Sequence, residues 1–186
     1  MKIKIAKIDV AKTQLLEAIN LFFQERDPVS IHTLVGASLE ILNDHITDEG
    51  VVYDHKLLFH YKSFYIYPER RSEWQHHIKK AKNYFKHAKN EVKAGTVDDV
   101  FEFETDLNHM FIIEAIRVLR VIEGERCGPE WGFCVFLGWF FVEYPDLIKK
   151  DDMEFQSLVA TLPKGSLSEW EQVLRMGKRR CETNYK

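Results

Sequence analysis

Cysteine is scarce in this chain of 186 residues: there are three, Cys127, Cys134 and Cys181, and no two are spaced as CxxC. An odd set without pairs, in a chain long enough to build its own core, argues against a disulfide scaffold and a zinc ribbon. Long apolar runs are missing as well. The longest, FCVFLGWFFV at 133–142, is about half of the ~20 residues that a membrane-spanning helix needs, so it reads as a buried core helix. The opening MKIKIAKIDVAKTQ has a lysine every few residues and no apolar stretch of export-signal length, which makes a cytoplasmic protein the expectation. Neither sign of charge dominates. Lys+Arg of 26 against Asp+Glu of 29 leaves a formal −3, so no global field selects for or against nucleic acid. Low-complexity segments, repeats at solenoid periods, and GxGxxG, Walker A, GxSxG and HExxH motifs are all lacking. These absences argue against dinucleotide enzymes, P-loop ATPases and serine hydrolases.

What is present is helical pattern. A hydrophobic share of 45% and an aromatic share of 13% supply one core, and the expectation is one domain over 1–186, its core at about 9–148 and C-terminal helices at about 152–180. Asp9 opens an expected helix to about residue 25 with Leu15, Leu16, Ile19, Phe22 and Phe23 inward. Asp27-Pro28 is a cap followed by proline at the first helical position, and it starts a second helix to about residue 44. Its stripe is Ile31, Leu34, Val35, Ser38, Ile41 and Leu42, and so short a link makes the two helices an antiparallel hairpin. Residues 46–67 read as a helix followed by an extended segment. Pro68 or Ser72 starts a third helix along Trp74, Ile78, Ala81, Phe85 and Ala88, and 93–105 reads as a loop with one small extended piece. The helix at 107–122 is the most apolar, apart from Asn108, His109, Glu114, Arg117 and Arg120. Gly128-Pro129 opens another buried helix that Pro145 ends. Helices at about 152–162 and, from the capping box Ser166 with Glu169, to about 179 complete the chain. The fold class is therefore all-α, a bundle of six or seven helices around two very apolar central ones, with Phe136, Phe140, Ile113 and Ile116 buried.

Eight histidines in a helical chain raise three chemistries. A di-metal carboxylate site needs an acid and a histidine three apart, so that both leave one helix face; Glu73 with His76 and Asp106 with His109 have that spacing, and Glu17, Glu40 or Glu114 could assist. About one such pair arises by chance, so no metal ligand and no cofactor is assigned. His109 shares a face with Ile113 and Ile116, which suits a core histidine with a hydrogen-bond partner. The second chemistry is metal-free RNA cleavage, in which a histidine serves as base and an arginine holds the phosphate. Arg71-Ser-Glu-Trp-Gln-His76 supplies that pair, and Arg26 with His32 repeats it. In one continuous helix Arg71 and His76 diverge by about 140°, so they converge only if the helix starts between them, as a Ser72 cap allows. This pattern resembles the HEPN superfamily of helical nucleotide-binding and ribonuclease domains, which implies catalytic roles for Arg71 and His76. The third is a polar ridge of His76, Lys80, Asn83 and His87, where Asn83 can orient His87 one turn away and Lys86 adds an anion-binding charge.

The phrase DPVSIHTL at 27–34, followed by NYFKHAKN at 83–90 and VFEFETDLNHMFIIEAI at 100–116, resembles a pattern of short helical bacterial proteins. The resemblance covers about 9–148 and implies no particular activity; Tyr84 stands where phenylalanine is usual. It directs attention to His32, Asn83, Lys86 and His87 as one binding constellation, with His32 and the other three bordering a shared cleft. The expected role is a helical module that binds or regulates a protein or small-molecule partner, with a HEPN-like ribonuclease and a di-metal bundle as alternatives. RNA contact would fall on 70–93, where two arginines and six lysines face Glu73 and Glu91. No membrane contact is expected, and a homodimer is compatible with the sequence.

Overall fold

The computed structural model describes residues 3–48, 69, 72, 80, 81, 83–85, 101–124, 130–147 and 153–184; every regular element among them is helical. The helices are α1 (Lys7–Phe23), α2 (Pro28–Asp48), α3 (Leu107–Glu123), α4 (Trp131–Glu143), α5 (Met153–Ala160) and α6 (Leu167–Asn184), with a 3-10 turn at Pro145–Leu147. Among the described residues no helix is long and apolar enough to cross a membrane. Residues 72, 80, 81 and 83–85 are helical, and the rest of the basic stretch at 70–93 lies outside the described residues, as do 51–67 and 125–129.

The α1–α2 hairpin is made by a tight stop and a strong start. At the stop, the Arg26 N–H donates to the Leu21 carbonyl at 3.0 Å and the Glu25 N–H to the Phe22 carbonyl at 3.0 Å. Glu25 takes φ +50° between them, the left-handed residue of a Schellman ending. At the start, the Asp27 carboxylate accepts from the backbone N–H and the hydroxyl of Ser30 at 2.9 and 2.6 Å and from the Val29 N–H at 3.3 Å. Those Ser30 hydrogen bonds hold the Asp27 carboxyl below its ordinary range. The stop and the start turn the chain within a few residues, and Ser38 Oγ then donates to the Ala11 carbonyl at 2.9 Å inside the seam between the two helices.

One continuous core runs through α1, α2, α3, α4 and α6. Helix α1 packs on α2, α3, α4 and α6, which explains why Ala11, Leu15, Ala18 and Ile19 are all fully buried. Helix α4 is apolar all round. Phe136 and Phe140 are buried between neighbours, as is Ile116 on α3, while Ile113 is half-buried. An aromatic cluster ties α4 to α1, with Phe22 5.3 Å from Phe136 and 4.6 Å from Trp139, edge to face. At its N-terminus the Trp131 indole donates to the Val173 carbonyl on α6 at 3.1 Å. It lies so close to Gly177 that any Cβ there would collide with the ring.

Candidate functional site

His32, one turn into α2, is completely buried. Its Nδ1 lies 2.9 Å from Asn108 Oδ1, and Asn108 Nδ2 donates to the Pro28 carbonyl at 3.0 Å. A carbonyl only accepts, so the Asn108 amide is oriented with its oxygen toward the imidazole, and the His32 proton sits on Nδ1. Phe103 and Phe111 pack against the ring with centroids at 4.9 Å, and Phe85 closes on it at 5.8 Å. Phe85 comes from the helical residues 83–85, and its neighbours Tyr84 and Lys80 both engage Phe101. The alternation at 101–104 turns Phe101 and Phe103 inward and leaves Glu102 and Glu104 exposed. This node is a hydrogen-bonded polar pair, His32 Nδ1 with Asn108 Oδ1, inside an aromatic shell, and its chemistry is that of a helix-to-helix fastener.

Of the sequence-derived constellation, His32 and Asn83 lie among the described residues. Phe85 is the described residue that the 83–85 turn brings to His32; Asn83 is exposed. Arg71, His76, Lys86 and His87 lie outside the described residues. Arg26 is exposed at the end of the hairpin turn, whereas His32 is enclosed. Asn108 escaped the reading of the sequence. A polar residue at the start of the most apolar helix demands a buried partner, and His32 on the apolar side of α2 was the available signal.

A second pair lies at the junction of α3 and α4. His109 Nδ1 is 2.7 Å from the Tyr144 hydroxyl, and its ring packs edge-on to Phe22 and Trp139 at 5.1 and 4.9 Å. Burial pushes the imidazole below its ordinary value, against the opposing charges of Asp106 and Glu143, and burial together with the same two carboxylates pushes the Tyr144 phenol up. Both shifts favour a neutral pair, in which the phenol is the natural donor and Nδ1 the acceptor. His109 is thus a core histidine with a partner. Among the described residues no three His, Cys, Asp or Glu side chains are grouped to hold a metal ion.

A concave site lies elsewhere, between α3, α4 and α5. It is a half-open pocket of about 520 Å³. Helix α3 contributes Ile113, Arg117 and Arg120, which lie three or four apart on one face. Helix α4 contributes Cys134, Leu137, Gly138 and Phe141. Leu158 and Val159 of α5 make the outer wall with Leu162 just beyond it. Gly138 has the Trp170 ring and Leu162 against its open side, where a Cβ would come within 3.3–3.4 Å, so α6 and the α5–α6 link close on the α4 backbone at the floor. Burial raises the Cys134 thiol, with the Arg120 guanidinium acting in the opposite direction, which favours the neutral thiol in this wall. Arg117 pairs with the buried Glu114 at 3.9 Å. Nothing in the sequence marks this pocket except two arginines on a largely apolar helix.

Comparison with known proteins finds no matching family model, no matching curated protein and no matching solved structure.

Proposed function

We propose that the protein is a helical binding module that takes a small, largely apolar ligand between α3, α4 and α5. The pocket carries this reading. Its volume of about 520 Å³ falls in the range of about 300–1,000 Å³ typical of small-molecule sites, and apolar walls with a few polar groups are their usual lining. Two of the described histidines support it from the other side. His32 and His109 each have a ring nitrogen bound to a structural partner, and neither lines this pocket.

The test is titration with Nile red, a neutral fluorophore that brightens in apolar surroundings. Saturable binding at one site is expected, together with its loss in Leu158→Trp, which places an indole over the pocket mouth. Leu158 is 57% exposed, so this substitution leaves the core packing intact. Unchanged binding in the variant, or no saturable binding to the wild type, would overturn the proposal. So would cleavage of single-stranded RNA in the presence of a chelator that Arg71→Ala and His76→Ala abolish, the result that a HEPN-like nuclease requires.

A further inference from the structure

We infer that the ligand is a single-chain amphiphile with a carboxylate head, its chain lying between α4 and α5 and its head at the α3 rim. This rests on the pocket's being a binding site and adds what the site selects. The pocket is asymmetric. Its α4 and α5 walls present Leu137, Phe141, Leu158 and Val159 beside the Cys134 thiol, whereas both charged residues of its described lining, Arg117 and Arg120, stand on α3 and carry the same sign.

The two arginines are not equivalent. Arg117 already has Glu114 as a partner, so much of its charge is balanced from inside the bundle. Arg120 is exposed, and among the described residues no carboxylate lines the pocket beside it. It stands across the pocket from Cys134 on α4, and its charge opposes the upward push of burial on that thiol. A purely apolar ligand would cover this guanidinium and strip water from it without return. A carboxylate replaces that water with a charge-assisted hydrogen bond, and the planar guanidinium can receive it through two parallel N–H donors. A small inorganic anion would satisfy Arg120 and leave the apolar walls wet. Only a ligand with both halves uses the whole pocket, and a cationic amphiphile is repelled at the same rim.

Three probes with the same chain separate the alternatives: decanoate, decanol and decylamine, each kept below its micellar concentration and used to displace Nile red from the full-length protein at neutral pH and low salt. Decanoate is expected to displace the dye at a concentration about tenfold below that of decanol, the increment of one charge-assisted hydrogen bond, with decylamine weakest. Arg120→Gln should bring decanoate to the level of decanol and leave decanol itself unchanged. Adding salt should narrow the gap between decanoate and decanol in the wild type. Equal displacement by decanoate and decanol, preference for decylamine, or an Arg120→Gln variant that keeps the decanoate preference would overturn the carboxylate inference while the apolar site stands. Failure of all three to displace bound dye would overturn the shared site and the inference with it.

Discussion

Asn108 does two things with one amide, donating to the Pro28 carbonyl and accepting from His32. Asn108→Ala leaves the buried His32 Nδ1–H without this acceptor, and the loss in unfolding free energy is expected to be about 1–3 kcal/mol. A double-mutant cycle with His32→Ala checks it, because two side chains that act as one unit show a coupling, whereas independent packing losses would simply add. The His109–Tyr144 pair has a pH signature. His109 is held below its ordinary 6.5, so its contribution to stability is present above that value and is lost as pH falls through the lowered folded one. Tyr144 is raised above its ordinary 10.0, so its contribution is present below that value and lost as pH rises through the folded one. The Tm difference between wild type and Tyr144→Phe should be flat at neutral pH and shrink at both ends; a difference that grew on acidification would show that the imidazolium is the stabilised form. The sequence could place His109 in the core from its spacing to Ile113 and Ile116. It could not supply Tyr144, which lies 35 residues on and meets the ring only because α3 and α4 pack together.

Two helix starts were the most legible features, because they are fixed by local hydrogen bonds, whereas Asp9, expected to cap α1, lies inside its first turn: the helix begins at Lys7 after Ala6, without a side-chain cap. Asp27 caps α2 as its sequence requires, and Ser166 opens α6 with its backbone N–H donating to Glu169 at 2.7 Å. Asp27→Ala should lower stability by about 1 kcal/mol, measured by urea denaturation at neutral pH. Because the folded carboxyl lies below its ordinary 3.8, the wild-type advantage should disappear as pH falls through the folded value. Periodicity was less informative for α2. The stripe read from the sequence puts Leu34 and Ile41 inside, but both are half-buried, while His32, Leu39 and Ile46 are buried with Ile31, Val35 and Leu42. Helix α2 packs against α1 on one side and α3 on the other, and two neighbours bury a wider arc than a single apolar stripe defines. That rotation takes His32 from the edge of a groove into the core. At the α4–α6 seam, Gly177→Ala should lower Tm despite alanine's advantage in a helix of about 1 kcal/mol, because the new methyl displaces the Trp131 ring; an unchanged or raised Tm would show that the indole seat contributes nothing.

For the whole molecule, the all-helical class and the central place of α4 followed from composition and pattern, since a helix apolar on every side has to be surrounded. Phe140→Ala is expected to cost about 3–5 kcal/mol for that reason, and an unchanged Tm would contradict it. The pocket was not legible. It exists because the short helix α5 leans on α4 while α3 approaches from the other side, so its walls belong to segments that share no local pattern. Even its charged rim, Arg117 and Arg120, reads in sequence as two interruptions of an apolar helix. Methyl-resolved NMR during titration of the full-length protein with decanoate tests the binding account most directly. The account expects the largest shifts at Ile113, Leu137, Leu158, Val159 and Leu162, with Leu15, Val35 and Leu42 on the far side of the core unmoved. Shifts centred on α1 and α2, or none at saturating ligand, would contradict it.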